Sequence, residues 1–465
     1  MLFDEVLLGI FACYVEESPE RDAWHTLASV CRRWRSIALG SSRRLNLRIF
    51  CSNRKRIPVR KNLDFWPPFP IVLTGDFCRK LGEDNILATL EHHDRVCGIE
   101  VTNISSSLWE KALSLIQKPF PVLTDLNLQY RDFRMPLSVI PDSFLGGSAR
   151  RLRRLSLGSI PFPGLPKLLF TATDLVHLHL ELYEIPDSGY ISADAIAACL
   201  STLTRLESLS LRFKSPRPRP EWERRRTPSP TRALLPSLTY FMLGGASEHR
   251  EDIVDRIDAP LLDTLKIKFI GQPPFHTPRL AQFISRVPKL KSFNEARMRF
   301  DTGNASVRLV SLSKTTTNAS LLLESWHGRA GFRLSPLVQL FTSSLLQALI
   351  PTVERLAIFG TASSREPWQD DIDLRLWREL LQPFAAVKDL YVSSDIAPHI
   401  VVFRQEFVGE SVLELFPVLQ NIFLNKLPEG IEQFVAAREL ANRPISVSPL
   451  EINLSLKCKL VISPV

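Results

Sequence analysis

The sequence predicts an α/β chain: a short cluster of three N-terminal helices, then an irregular repeat solenoid. The solenoid is expected as a curved parallel sheet with helices on its outer face. Three observations predict this. Residues 1–48 carry apolar side chains at helical spacing. From about residue 96 a six-residue phrase, apolar-x-x-apolar-x-apolar, returns at near-regular intervals. Between the phrases lie stretches of helical rather than alternating periodicity.

The first helix is read from Val6, Leu7, Ile10, Phe11 and Tyr14, one stripe at 3.6-residue spacing. Asp4 and Glu5 stand in its first turn, where the helix dipole favours negative charge. After the polar EESPERD, Ser18 and Pro19 are an N-cap and a first helical residue. Ala23, Trp24, Leu27 and Ala28 mark a second helix. Val30, Cys31, Trp34, Ile37 and Ala38 mark a third, with Arg32, Arg33 and Arg35 toward solvent. Helices this short bury too little surface to stand alone, so their apolar stripes must dock on something else.

The pattern L-x-D-E-V-L-L-x-I-F, a polar loop, then L-x-x-V-C-R-R-W-R-S-I resembles an F-box. More narrowly, the chain resembles fungal, basidiomycete-type F-box proteins in which the box precedes a leucine-rich-repeat-like region. In that family the box binds a Skp-type adaptor and recruits targets to a cullin–RING ubiquitin ligase. The resemblance implies that Leu2, Val6, Leu7, Ile10, Phe11, Val30, Cys31 and Trp34 face the adaptor. The family's box begins Leu-Pro, whereas Phe3 follows Leu2 here and the chain begins inside the motif. Both departures are expected to weaken adaptor binding.

Composition fits an ordinary globular protein: 45% hydrophobic and 23% charged residues in a chain of 465. No secretory signal is expected, because Asp4 and Glu5 sit where a basic region would be needed. Seven dispersed cysteines without a C-x-x-C pair point to reduced thiols in the cytoplasm or nucleus. Between Arg32 and Lys61 there are eleven Arg or Lys and no acid, more than the +9 of the whole chain. That run suits an acidic partner or phosphates, or is a solvated face complementing an acidic adaptor. No aromatic residues interleave its arginines at stacking spacing, so nucleic acid is not an expected partner. The longest uncharged run, Leu334 to Val353, contains two prolines and reads as a buried amphipathic helix, not a membrane span.

Residues 49–95 are a junction. Its segment LDFWPPFPIVL (63–73) is extended by its prolines and packs the box on the repeats, with a first strand at Ile71 to Leu73. From 96 to 465 the phrase recurs as VCGIEV (96–101), LTDLNL (123–128), LRRLSL (152–157), LVHLHL (175–180), LESLSL (206–211), LTYFML (238–243) and LDTLKI (262–267). Later copies are VRLVSL (307–312), VERLAI (353–358), VKDLYV (387–392) and LQNIFL (419–424). Starts of the first seven lie 27, 29, 23, 31, 32 and 24 residues apart. Leucine-rich repeats run at about 20–29 residues. The asparagine common to such repeats is missing, so the array is irregular and degenerates near 290–350. ISADAIAACLSTL (191–203) reads as a helix between phrases.

In such a strand the leucines point inward and the residues between them outward. The outward row is Asp125, Asn127, Arg154, Ser156, His177, His179, Ser208, Ser210, Tyr240, Met242, Thr264, Lys266, Asp389, Tyr391, Asn421 and Phe423. Target binding is expected at Asp125, Asn127, Arg154, His177, His179, Tyr240, Lys266 and Tyr391. The basic, proline-rich stretch 213–232 is expected as a disordered insertion, and 364–374 as an acidic loop. No phosphate loop, H-E-x-x-H or G-x-S-x-G occurs. No enzyme activity, cofactor, metal or membrane partner is therefore expected. Two functions fit: the substrate-recognition subunit of a Skp–cullin–F-box ligase, or a repeat scaffold without a ligase link.

Overall fold

Six strands in the first part of the chain follow one another in order, the last four of them on the repeating phrase. The computed structural model describes residues 2–17, 23–52, 59–76, 83–130, 137–162, 164–182, 191–213, 232–245, 247–270, 277–301, 304–312, 319–326, 338–339, 344–360, 374–393, 396–397, 415–425 and 431–449. The chain divides into two compact units, Met1–Ile191 and Ser192–Val465.

The first unit opens with helices α1 (Asp4–Glu17), α2 (Ala23–Val30) and α3 (Arg32–Gly40). The cap expected at Ser18 and Pro19 lies outside the described residues. Leu7, Leu8, Phe11, Trp24, Leu27, Ile37 and Ala38 form the inner face of the three helices. Trp24 meets Phe69 edge-on at 5.3 Å, and His25 meets Trp66 at 5.7 Å. The segment Trp-Pro-Pro-Phe-Pro thus packs against α2. Arg95 fixes that segment by donating to the carbonyls of Pro67 at 2.9 Å and Phe69 at 3.3 Å.

Strands β1 (Ile49–Ser52), β2 (Ile71–Asp76), β3 (Val96–Thr102), β4 (Asp125–Gln129), β5 (Arg154–Gly158) and β6 (His177–Leu182) pair in sequence order, all parallel. The ladder therefore begins at Ile49, earlier than the Ile71 that the sequence suggests. The register Ile99↔Leu126, Leu126↔Leu155, Leu155↔Leu178 stacks the leucines of successive phrases on one buried face. Each parallel step needs a crossover, and helices Glu83–Glu91 and Ser106–Ile116 supply two of them. Ser105 caps the second, its hydroxyl accepting from the Leu108 amide. Further along, one-turn 3₁₀ segments at Phe144–Gly147 and Lys167–Phe170 do the same work.

In the second unit β7 (Ser208–Phe213), β9 (Tyr240–Gly245) and β11 (Thr264–Ile270) again run parallel. A two-stranded pair, β8 (Ala233–Leu234) with β10 (Ile257–Asp258), forms a separate small sheet. The periodic pattern then breaks. β12 (Glu295–Asp301), β13 (Asn304–Ser311) and β14 (Ala319–Trp326) form an antiparallel meander, in the lateral order β11-β14-β13-β12. VRLVSL is therefore no repeat strand. Only two residues separate β12 from β13, and a parallel crossover needs a dozen or more. Parallel pairing resumes with β15 (Arg355–Gly360), β16 (Asp389–Val392), β17 (Asn421–Leu424) and β18 (Ser446–Pro449).

Gly245 ends β9 at φ +150, where an added Cβ would stand 2.8 Å from the Phe213 carbonyl oxygen. Helices Ala193–Leu200, Ser247–Asp255, Pro278–Arg286, Leu374–Leu381 and Ile431–Leu440 lie between strands. Ser192 caps the first, accepting from the Ala195 amide at 3.1 Å. The run 334–353 is not one continuous helix. Its described part holds a single turn, Ser344–Gln347, and a 3₁₀ turn at Ile350–Thr352, where Pro351 precludes continuation. The insertion 213–232 and the acidic loop 364–374 lie almost wholly outside the described residues. Among the described residues no helix is long and apolar enough to cross a membrane. Each unit is thus a mixed α/β arrangement of largely parallel sheet with helices, consistent with a leucine-rich-repeat-like array.

Cysteine placement gives a first expected result. Cys51, Cys97 and Cys199 are buried, whereas Cys13 and Cys31 are exposed. Burial pushes the Cys199 thiol up to about 12 from 9.0. Iodoacetamide on the native protein should label Cys13 and Cys31 and spare Cys199 until denaturant is added, read by peptide mass. The unfolded thiol ionises first, so its contribution to stability is complete below pH 9 and is lost as pH climbs toward 12. Cys199→Ala should flatten the alkaline limb of the stability profile.

Candidate functional site

Two surfaces are candidates: the outer side of the N-terminal helices, and the outward faces of the sheets. α1 is apolar on two sides. Leu7 and Phe11 point inward, Phe11 with no exposure and its ring 4.8 Å from that of Trp34. These two sequence-expected adaptor contacts therefore close the helices' own core. Leu2, Val6 and Ile10 point outward, Ile10 at 47% exposure. Phe3 (77%) and Tyr14 extend the same stripe and are absent from the expected set. Their spacing with Val6 and Ile10, at i, i+3, i+7 and i+11, is the signal that could have found them.

The second half of the surface is the α2–α3 corner. Val30 is 55% exposed, and Cys31 is exposed with its Sγ capping α3 by accepting from the Trp34 amide. Arg33 joins the two halves. It donates to the Leu2 carbonyl at 2.5 Å and to Asp4 Oδ1 at 2.6 Å. One ion-paired side chain thus brings the start of α1 to the corner carrying Val30 and Cys31. Arg32, Arg35, Arg43 and Arg44 of the basic run are exposed beyond it, and Arg60 pairs with Glu91 at 2.6 Å.

On the sheet of the first unit, Asp125, Asn127 and His177 are half-buried and Arg154 exposed. Ser156 and His179 are more enclosed than an outward row implies, because adjacent strands stand about 4.8 Å apart and neighbouring side chains cover one another. Register places Asn127, Ser156 and His179 side by side, and His179 Nε2 lies 3.4 Å from Glu181. Among the described residues no group of three or more His, Cys, Asp or Glu is arranged to hold a metal.

On the second unit's sheet, Tyr240 and Lys266 are half-buried, and Lys266 Nζ pairs with Glu324 at 2.9 Å. Burial pushes the Tyr240 phenol up, against the pull of Arg212 and Arg308. Tyr391 stacks on Phe423, with ring centroids 4.4 Å apart and planes at 8°. Ser208, Thr264, Asp389 and Asn421 are half-buried, and Ser210 and Met242 buried. The six-residue phrase misses the charged residues of β12. Arg297 and Arg299 alternate with buried Ala296, Met298 and Phe300, a period of two that the phrase does not capture.

No family model matches the chain, and no curated protein matches it. Among solved structures it is similar to the leucine-rich repeat-containing protein LegL7 from Legionella pneumophila, at 12% identity and a TM-score of 0.23. That match covers 85% of this chain and 98% of the other. A likeness this slight carries nothing about partners or activity.

Proposed function

We propose that the chain is the substrate-recognition subunit of a Skp–cullin–F-box type ubiquitin ligase, working in the cytoplasm or nucleus. In this reading the N-terminal helices are an F-box that docks on a Skp-type adaptor, and the sheet face holds a target protein. The chain then needs no chemistry of its own. The observation that carries the reading is the outer stripe. Leu2, Phe3, Val6, Ile10, Tyr14 and Val30 are exposed around a helical core already closed by Phe11. An apolar face of this kind, rimmed by Asp4, Glu5 and Arg32, suits a protein partner.

Ile10→Asp is expected to abolish co-purification with a Skp-type adaptor while leaving circular dichroism and the thermal midpoint unchanged. Adaptor captured at wild-type yield by that variant would overturn the reading. The scaffold reading, without a ligase link, is favoured by sheet faces whose exposed residues lie on strands separate from α1–α3. Deleting residues 1–45 distinguishes the two: a docking module loses the adaptor but keeps soluble repeats, whereas a mere cap costs folding.

A further inference from the structure

On the second unit's sheet the antiparallel meander and the parallel strands β7 and β11 beside it share one cationic face. Register fixes three lateral rows across it. One runs Thr264, Ser320, Val310, Glu295, Arg355, Asp389. The next runs Lys266, Leu322, Arg308, Arg297, Ala357, Tyr391. The third begins Arg212, Gly244, Lys268 and continues Glu324, Ser306, Arg299. These rows hold seven cations against three carboxylates, a net +4 on one face. The carboxylates are matched within the face: Glu324 with Lys266, Glu295 with Arg297, and Asp389 with Arg355. Arg299 and Arg308 stand exposed.

Glycine shapes the same face. Arg212 and Lys268 sit two strands apart with Gly244 between them. A Cβ on Gly244 would meet Arg212 Cγ and Lys268 Cβ, each at 3.4 Å.

We infer that this face binds an acidic, extended segment of a protein partner laid across the strands of the meander. The inference rests on the proposed function, in which the sheet receives the target, and names the target's chemistry. Cations at intervals of one to three strands stand about 5–14 Å apart. An extended peptide carries same-side groups about 7 Å apart, so acids at every second or fourth residue meet them. A nucleic acid fits less well. Glu324 and Glu295 would oppose a backbone charged at every unit, and Tyr391 and Phe423 are stacked on each other instead of presenting open rings to bases.

The test uses the full chain and fluorescence anisotropy. One probe is a labelled peptide of about 14 residues alternating Glu and Ser, long enough to cross the rows. Its Gln counterpart and a labelled oligouridylate are the comparisons. The Glu peptide is expected to bind, with affinity falling as salt rises, and the Gln peptide to bind at least about tenfold more weakly. Arg299→Glu combined with Arg308→Glu should weaken the Glu peptide by about tenfold or more with an unchanged thermal midpoint. Arg43→Glu with Arg44→Glu should leave it unchanged. The inference is overturned by indifference to the Arg299/Arg308 pair, by equal loss from the Arg43/Arg44 pair, or by tighter binding of oligouridylate. Adaptor capture is scored on the same variants. A failed peptide arm with adaptor retained sinks the acidic target alone, whereas a failed adaptor arm with peptide retained sinks only the ligase link.

Discussion

Phe11→Ala is expected to cost about 3–5 kcal/mol and to strip protection from the amides of α1, α2 and α3 in hydrogen exchange. The ring is fully enclosed, and it touches the half-buried Trp34 across the helix pair. Only a handful of other large side chains, Leu7, Leu8, Trp24, Leu27 and Ile37, complete the inner face with it. In so small a cluster one phenyl group is a large fraction of the cohesion, and the helices cannot close the gap without losing their seat on Phe69. Ile10, one residue earlier, is the control. Its side chain is half in water, so Ile10→Asp should leave exchange protection near wild type. The two variants therefore separate folding of the helices from docking on them. Wild-type protection in Phe11→Ala would mean that α1 does not pack through this face.

That contrast also marks where the sequence is legible. The six-residue phrase located β3–β7, β9, β11 and β15–β17, because a leucine at every second position in a strand has few other ways to be buried. It could not orient β13. VRLVSL alternates equally well in either direction, and only the two-residue connection to β12 decides. On α1, Val6, Leu7, Leu8, Ile10 and Phe11 cover most of the helix circumference, so periodicity alone cannot say which side meets Trp34. The proposed binding face was legible where it lay on the phrase, at Tyr240, Lys266 and Tyr391. Arg297 and Arg299 were not, because they lie on β12, which carries no copy of the phrase and reaches the same face only through pairing with β13. The enclosure of Ser156 and His179 likewise depends on neighbours contributed by other strands.

Glu251→Ala is expected to destabilise the second unit by about 2–3 kcal/mol in urea unfolding. The helix Pro278–Arg286 begins with a proline, which has no amide proton, and its N-cap Thr277 makes no side-chain cap bond. Its first amides, of Arg279 and Leu280, donate to the Glu251 carboxylate at 2.7 and 3.3 Å. The cap thus comes from a different helix, Ser247–Asp255, 28 residues earlier in sequence. Asp252 on that helix pairs with the Arg279 side chain. Alanine would leave both amides unmatched beside fully buried Leu280, and would remove a carboxylate acting on Arg250, itself buried with its guanidinium 4.2 Å over Phe269. Glutamine differs, since its carbonyl oxygen still accepts while carrying no charge. Burial pushes the Glu251 carboxyl above its usual range, outweighing the amides that hold it down. A raised carboxyl gives its full stability below the ordinary carboxylate range and loses it as pH rises through the folded value. Glu251→Gln should therefore cost no more than about 1 kcal/mol at neutral pH, and wild type should gain on it as the solution is acidified toward pH 4. If alanine and glutamine were equally destabilising at every pH, the carboxylate would be acting through its charge on Arg250 and not as the cap of the following helix.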